Sequence, residues 1–538
     1  MSLIEALETK DSVTYNGAIT NSTSSNANLD LFFLAGACRR ESIENINTAI
    51  LKSYEFDRIK TIKIIFWAGD IRQGAGERRF FKIALNWLYD NHKDELIKYL
   101  NKVPEFSRWD VLFDLNDKDI LQFIADRFVK GDALLCKWLP RKIKTVDTYL
   151  RKLSEVKIAK VVPTKDELLN LSDIKKYHVV EVTEENSKYV WDGNNWLKLF
   201  VKDNEFYWNK TKKRDVRDKY AIRLRRFLNW SPKHYRKHVV TRSNVVETKM
   251  CAKKWNEIDY SKVPSVAMNK YNKAWYRNDE ERFEAYLKEV ESGKQKINAS
   301  VIFPHDIIGP NMQVDFYDVK FTPLNQGQIT QWNNLPNYLP EGSHILPVVD
   351  TSGSMADVAK GLPMKIAVSL GLYLSERNVG PFKDAFITFS DNPKLQHLKG
   401  NINQRINQLV SADWNQSTDI TKVFALILSK AKQFALHPSD MPQTVLIISD
   451  MEFNECGEMT NFEYIKQQYL QSNYTIPNIV FWNVNGRVGN VPIKYNENGV
   501  ALVSGASPSI IKAVLGNDIN PIKIMDKVIE SERYKFVH

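Results

Sequence analysis

The stretch PVVDTSGSMAD, residues 347–357, sets an aspartate and two serines on one short segment. An apolar run ends at Asp350, and Ser352 and Ser354 follow at alternate positions. Further on, Thr418 in NQSTDI precedes a helix-like segment, and Asp450 in TVLIISDMEF ends another apolar run. Asp350, Ser352, Ser354, Thr418 and Asp450 offer only carboxylate and hydroxyl oxygens. A donor set of that kind, without Cys or His, suits a hard divalent cation: Mg²⁺ first, with Mn²⁺ or Ca²⁺ as alternatives. A serine-rich turn after a strand, with unrelated aspartates elsewhere, is the plainer alternative. A nucleophilic serine is disfavoured, because no GxSxG elbow surrounds either one.

A second chemistry lies in the basic residues. The chain carries 75 Lys and Arg against 64 Asp and Glu, a net charge of +11. Between Lys210 and Arg242, thirteen basic residues face only Asp215 and Asp218, so that one stretch holds an excess as large as the whole chain's. Such density attracts phosphate backbones by counterion release. The candidates are Arg72, Arg78 and Arg79 in DIRQGAGERRF, then Lys137, Arg141 and Lys142 in KWLPRKIK. Arg223, Arg225 and Arg226, with Lys233, Arg236 and Lys237, form the densest set. Tyr220, Trp230, His234 and Tyr235 are interleaved and could stack on unpaired bases. A solvated helix face with its aromatic residues turned inward explains the same pattern without RNA.

Other motifs offer less. RQGAGERR lacks the GxxxxGK[ST] spacing of a phosphate loop and follows no buried strand. PHDIIGP holds a His-Asp pair better read as structural, and no paired carboxylates or histidine ligands mark a hydrolase. No catalytic residue is expected, and the chain reads as a non-enzyme. Cys38, Cys136, Cys251 and Cys456 lie far apart, which argues against disulfides and zinc and suits a reducing cytoplasm. No apolar run approaches the roughly 20 residues that span a bilayer. The N-terminus also lacks the pattern of a signal peptide. A cytoplasmic monomer that avoids membranes is the expectation.

The elements that must position these residues change character along the chain. Over residues 1–157, apolar residues recur at three- and four-residue spacing, as in ERRFFKIALNWLYDNH, which predicts successive amphipathic helices. An α-solenoid of HEAT-like repeats would accommodate them. Residues 158–209 turn β-rich, and WDGNNW reads as a hairpin. Its tryptophans form either a compact core or a contact surface. Helical spacing resumes over 210–335, with 322–344 reading as a linker. From 336 to 538, short apolar runs such as ILPVV and TVLIIS alternate with helical stretches, predicting a doubly wound α/β sheet. Ligands of such sheets gather at the carboxyl ends of the strands, where Asp350 and Asp450 fall.

The Asp-x-Ser-x-Ser pattern at 350–354, with Thr418 and Asp450, resembles the metal-ion-dependent adhesion site (MIDAS) of von Willebrand factor A domains. That resemblance implies a Rossmann-like fold over 336–538, with hydroxyl ligands and a coordination position left open for a partner's acidic group. NGAITNSTSSNANLDLFFLAGACR, IKIIFWAGDIRQGAGERRFFKIALNWL and KVPSVAMNKYNKAWYRNDEERFEAYL are similar to the helical region of an uncharacterised family that carries such a domain. The order of domains resembles the TROVE domain plus A domain of the Ro ribonucleoproteins. It implies a helical domain that binds small structured or misfolded RNAs. The β-rich insertion resembles small modules of phage structural proteins, which implies a viral origin and a location in host cytoplasm or virion. A protein-interaction scaffold without RNA, docking an acidic partner on the cation, is the rival expectation.

Overall fold

The computed structural model describes residues 12–141, 179–181, 187–191, 196–202, 205–210, 213–243, 245–315, 318–389, 393–412, 418–515 and 519–538. Two compact units divide the chain: the residues up to Ser107 together with Lys254–His538, and Arg108–Lys253 between them.

The larger unit begins with a hairpin, β1 (Ser12–Val13) and β2 (Ile19–Thr20). Helices α1 (Ala27–Ala35), α2 (Ile43–Phe56), α3 (Arg58–Gly69), α4 (Arg78–Asn91), α5 (Lys93–Tyr99) and α6 (Val103–Phe106) follow. Asn26, Ser42 and Asp57 cap the first three, each accepting the N–H three residues on. Helix α3 is buried from Thr61 to Gly69, which its apolar run IIFWAG allows on every face. Its C-cap, Asp70, is wholly buried and takes two bonds from the Arg533 guanidinium, Nη2 to Oδ1 at 2.8 Å. The Tyr534 hydroxyl adds a third at 3.1 Å.

The smaller unit holds α7 (Lys118–Val129) and α8 (Ala133–Trp138), then the antiparallel strands β3 (Val179–Glu181), β4 (Ser187–Trp191), β5 (Trp196–Lys202) and β6 (Glu205–Lys210). Trp191 pairs with Trp196 across the β4–β5 hairpin, within the stretch read as β-rich. Helices α9 (Lys213–Phe227), α10 (Pro232–Arg242) and α11 (Val246–Cys251) complete it. Ile124 and Phe128 from α7 are buried, as are Tyr220, Leu224, Tyr235 and Val239 from α9 and α10.

The chain then returns to the larger unit with α12 (Ser265–Lys270), α13 (Asn272–Glu291), α14 (Pro304–Ile308), the hairpin β7 (Met312–Asp315) and β8 (Asp318–Phe321), and α15 (Gln326–Asn333). The stretch that reads as a linker therefore contains a helix. Asn325 and Gln328 close its first turn as a capping box, and Trp332 is buried with its indole N–H on Glu376 Oε2 at 2.7 Å. Its polar composition hid a segment whose Gln328, Thr330 and Gln331 are buried as well.

The six-stranded sheet comes last: β9 (Ile345–Val349), β10 (Ala385–Thr388), β11 (Leu395–His397), β12 (Thr444–Ser449), β13 (Asn478–Asn483) and β14 (Val500–Ser504). In space the order is β11-β10-β9-β12-β13-β14, all parallel except the edge strand β11. Helices α16 (Leu362–Arg377), α17 (Ile402–Val410), α18 (Ile420–Gln433), α19 (Asn461–Gln471), α20 (Ile511–Val514) and α21 (Pro521–Ile529) accompany the strands. Buried parallel strands need continuous apolar runs, and ILPVV, AFIT, TVLIIS and VALVS supply them. Pro347 sits in the central strand β9. Asp350 N–H donates to Ile448 O on β12, so by alternation Pro347 N faces β10, whose ladder begins only at Val348. The missing donor is tolerated there.

Helix α1 packs on this sheet. Gly36, just past α1, lies so close to β14 that a Cβ there would meet Gly505 N at 2.6 Å. The Ser504 hydroxyl bonds Phe32 O at 2.7 Å and accepts from Gly36 N at 3.0 Å.

Candidate metal centre and basic face

The strand order reverses between β9 and β12, and Asp350 and Asp450 follow directly on those two strands. In open α/β sheets this crevice is where ligands bind. Both carboxylates are buried, at 0% and 1% exposure. The Asp350 carboxylate accepts Ser352 N–H at Oδ1 (2.9 Å) and the Ser449 hydroxyl at Oδ2 (2.5 Å). Ser352 Oγ stands 3.0 Å from Ser354 Oγ, and Ser354 in turn hydrogen-bonds the Asp450 carboxylate. Four of the five residues singled out in the sequence thus form a connected chain.

Thr418 joins them less directly. Its N–H donates to Asn454 Oδ1 and its carbonyl accepts Asn454 N–H, both at 3.2 Å. That ties Thr418 to the loop that leaves Asp450. The loop is conformationally tense: Met451, buried and next to Asp450, adopts φ +68°.

Burial raises both carboxyl groups above the ordinary aspartate range. Asp350 is pulled back partly by its bonds from Ser449 and Ser352. Asp450 is pushed up to about 7, by burial first and the Asp350 charge second, with Glu452 adding to it. Among the described residues, no lysine or arginine is a cause of either shift. Two buried like charges without a counter-charge are costly, and a divalent cation among hydroxyl oxygens would relieve them. The residues fit such an ion. A site built only from His, Cys, Asp and Glu does not occur: no three of these group for a metal among the described residues.

Sequence reasoning missed Ser449, whose hydroxyl holds Asp350, and Asn16, whose Nδ2 donates to Thr418 Oγ1 at 3.1 Å. Asn16-Gly17 is a hairpin signal in its own right, so the turn was legible although its docking was not.

The basic candidates separate into those already engaged and those left exposed. In the larger unit, Arg72 donates to Glu105 O at 2.7 Å, and Arg79 to Cys38 O and Glu41 O at 2.7 and 2.6 Å; Arg78 is exposed. In the smaller unit, Lys137 faces Glu247 at 3.6 Å and Arg141 donates to Thr248 Oγ1 at 2.6 Å. Arg223 bonds Asp117 O at 3.1 Å and Arg225 bonds Trp230 O at 2.9 Å. Lys142 lies outside the described residues. Arg226, Lys233, Arg236 and Lys237 are exposed and have no acidic partner among the described residues. Beside them the Trp230 and His234 rings stack at 4.1 Å, with His234 exposed. Tyr220 and Tyr235 point inward instead, at 3% and 1% exposure. Their apolar neighbours four residues on, Leu224 and Val239, already carried that signal.

Comparisons agree on a two-part chain. Residues 14–114 and 197–343 match one domain of unknown function (DUF2828), and residues 344–535 match another (DUF7788). An uncharacterised protein, L728 of Acanthamoeba polyphaga mimivirus, is 29% identical over 335 residues. That stretch is 58% of this chain, and the chain spans 57% of that relative's length. The crystal structure of the Ro (RSR) protein of Deinococcus radiodurans aligns with 94% of this chain and 99% of its own. Identity there is 12% and the TM-score 0.34, a superposition too loose to carry an argument. The chain is therefore similar to two domains of unknown function in tandem, with a viral relative.

Proposed function

We propose that this chain is a non-enzymatic binding protein whose α/β sheet holds one divalent cation among Asp350, Ser352, Ser354, Thr418 and Asp450. The observation that carries this reading is the buried Asp350–Asp450 pair at the reversal of strand order, linked through Ser352 and Ser354, without a basic side chain among the described residues to balance it. Its resemblance to the adhesion site of von Willebrand factor A domains supports the same set of ligands. The cation would supply the positive charge that the carboxylates lack, and an acidic group of a partner protein would complete its coordination. Titration of the full chain with Mn²⁺ tests this: one bound ion is expected, lost in Asp350→Ala. A wild-type chain that takes up no Mn²⁺ or Mg²⁺ overturns the reading.

A second site, for RNA, rests on a separate observation. Arg226, Lys233, Arg236 and Lys237 stand exposed beside the stacked Trp230–His234 pair. Exposed cations next to an aromatic platform suit a single-stranded backbone with a base on the ring face. The Ro-like order of domains suggested by the sequence points the same way. Sequencing of nucleic acid that copurifies with the protein tests it, and a preparation free of nucleic acid that binds no added RNA removes it.

A further inference from the structure

All five candidate ligands come from Asp350 onward, yet the β1–β2 hairpin reaches the site from the other end of the chain. Its turn runs through Gly17, which takes the left-handed conformation at φ +84°. From that turn Asn16 Nδ2 donates twice, to Thr418 Oγ1 at 3.1 Å and to Glu452 O at 2.6 Å. The second bond fixes the amide's orientation, because a main-chain carbonyl only accepts. Both amide hydrogens are then committed, one to each partner. Thr418 Oγ1 must be an acceptor of the first, so its own hydrogen points elsewhere and one lone pair remains. That is the state in which a hydroxyl ligates a cation.

Independent anchors hold the hairpin in place. Thr14 Oγ1 donates to Phe453 O at 2.6 Å, and Tyr15 N–H to Glu452 Oε2 at 2.7 Å. Ser12 Oγ donates to Gly489 O at 2.5 Å, away from any candidate ligand. Asn16 is exposed, so its amide is not needed to fill the core, whereas Thr418 beneath it is buried.

We infer that Asn16, at the turn of the β1–β2 hairpin, is a positioning residue for the cation site, orienting the Thr418 hydroxyl. The inference rests on the cation reading above. It is tested by Mn²⁺ titration of the full chain carrying Asn16→Ala, Asn16→Leu (which keeps the volume) or Ser12→Ala, each also melted in chelator. Partners that orient a metal ligand are worth about 10–100-fold in affinity, so both Asn16 variants are expected to lose that much while Ser12→Ala stays within about twofold of wild type. Melting midpoints in chelator should stay close together, which separates orientation of the ligand from a folding defect. Wild-type affinity in both Asn16 variants overturns the inference alone. A loss in Ser12→Ala equal to that in Asn16→Ala overturns it too, since mere docking of the hairpin would then explain both. A wild-type chain that binds no Mn²⁺ overturns the cation reading and this inference with it.

Discussion

The Ser449 hydroxyl donates to Asp350 Oδ2 at 2.5 Å, joining the last residue of β12 to the first residue past β9. This bond crosses the point where the strand order reverses, and it holds one of two facing buried carboxylates in place. Removing a partner from a buried acceptor costs about 1–3 kcal/mol. Ser449→Ala should lower the stability of the metal-free protein by about that amount, read from urea unfolding followed by tryptophan fluorescence. An unchanged midpoint would mean that water replaces the hydroxyl.

Asp450 gives a dependence on pH whose sign is fixed. Its carboxyl group is pushed up to about 7, so the folded protein keeps that proton after the unfolded chain, near 3.8, has lost it. Metal-free stability contributed by this group is present at low pH and is lost as pH rises through about 7. Asp450→Asn carries no such charge. In chelator, the variant and wild type should melt together at about pH 4, with the variant gaining the advantage by about pH 8. Saturating Mg²⁺ should reverse that order at the higher pH, because only wild type binds the ion fully. A gap that does not change with pH would refute the facing-carboxylate account.

RNA affinity should follow the exposed cations and not the engaged ones. Reversing Arg226, Lys233, Arg236 and Lys237 to glutamate removes four exposed positive charges. Each phosphate contact to a single strand contributes about 0.7 to the slope of log affinity against log salt, so that slope should shrink by roughly 3 units. Changing Arg223 or Arg225 to alanine should chiefly cost stability, because these guanidiniums hold Asp117 O and Trp230 O. Filter binding across a salt series separates the two groups. Equal losses of affinity from both would place the contact elsewhere.

Arg533, whose side chain is 15% exposed, forms an ion pair with the fully buried Asp70. Leaving a buried charge without its partner costs about 3–5 kcal/mol. Arg533→Ala should therefore lower the melting midpoint by several degrees, while Asp70→Asn with Arg533→Gln together should lower it less. A double variant as unstable as the single one would point to lost packing instead of charge.

Much of the candidate site was legible because each strand of a buried parallel sheet is a short apolar run, and a polar residue ending one is conspicuous. Asp350 and Asp450 announced themselves that way, and Ser352 and Ser354 by their spacing. The basic cluster was legible as charge alone. Which guanidiniums are already spent on carbonyls depends on where Asp117 O and Trp230 O fall, and composition does not encode that. The segment 322–344 misled through its polarity, since Gln328 and Gln331 are buried and their side-chain N–H groups donate to main-chain carbonyls. The docking of α1 against β14 and of Asn16 against Thr418 left no local trace, because both join residues more than 400 positions apart.

That separation bears on how the chain is made. Asn16 leaves the ribosome 402 residues before Thr418, which at synthesis rates of about 5–20 residues per second is roughly 20–80 s. During that interval the hairpin and α1 have no sheet to lie on, and Phe32 O has no Ser504 hydroxyl to accept from. Contacts of such high sequence separation form late and slowly. The hairpin and α1 thus reach their final place only after Thr418 and β14 have been made, long after their own synthesis.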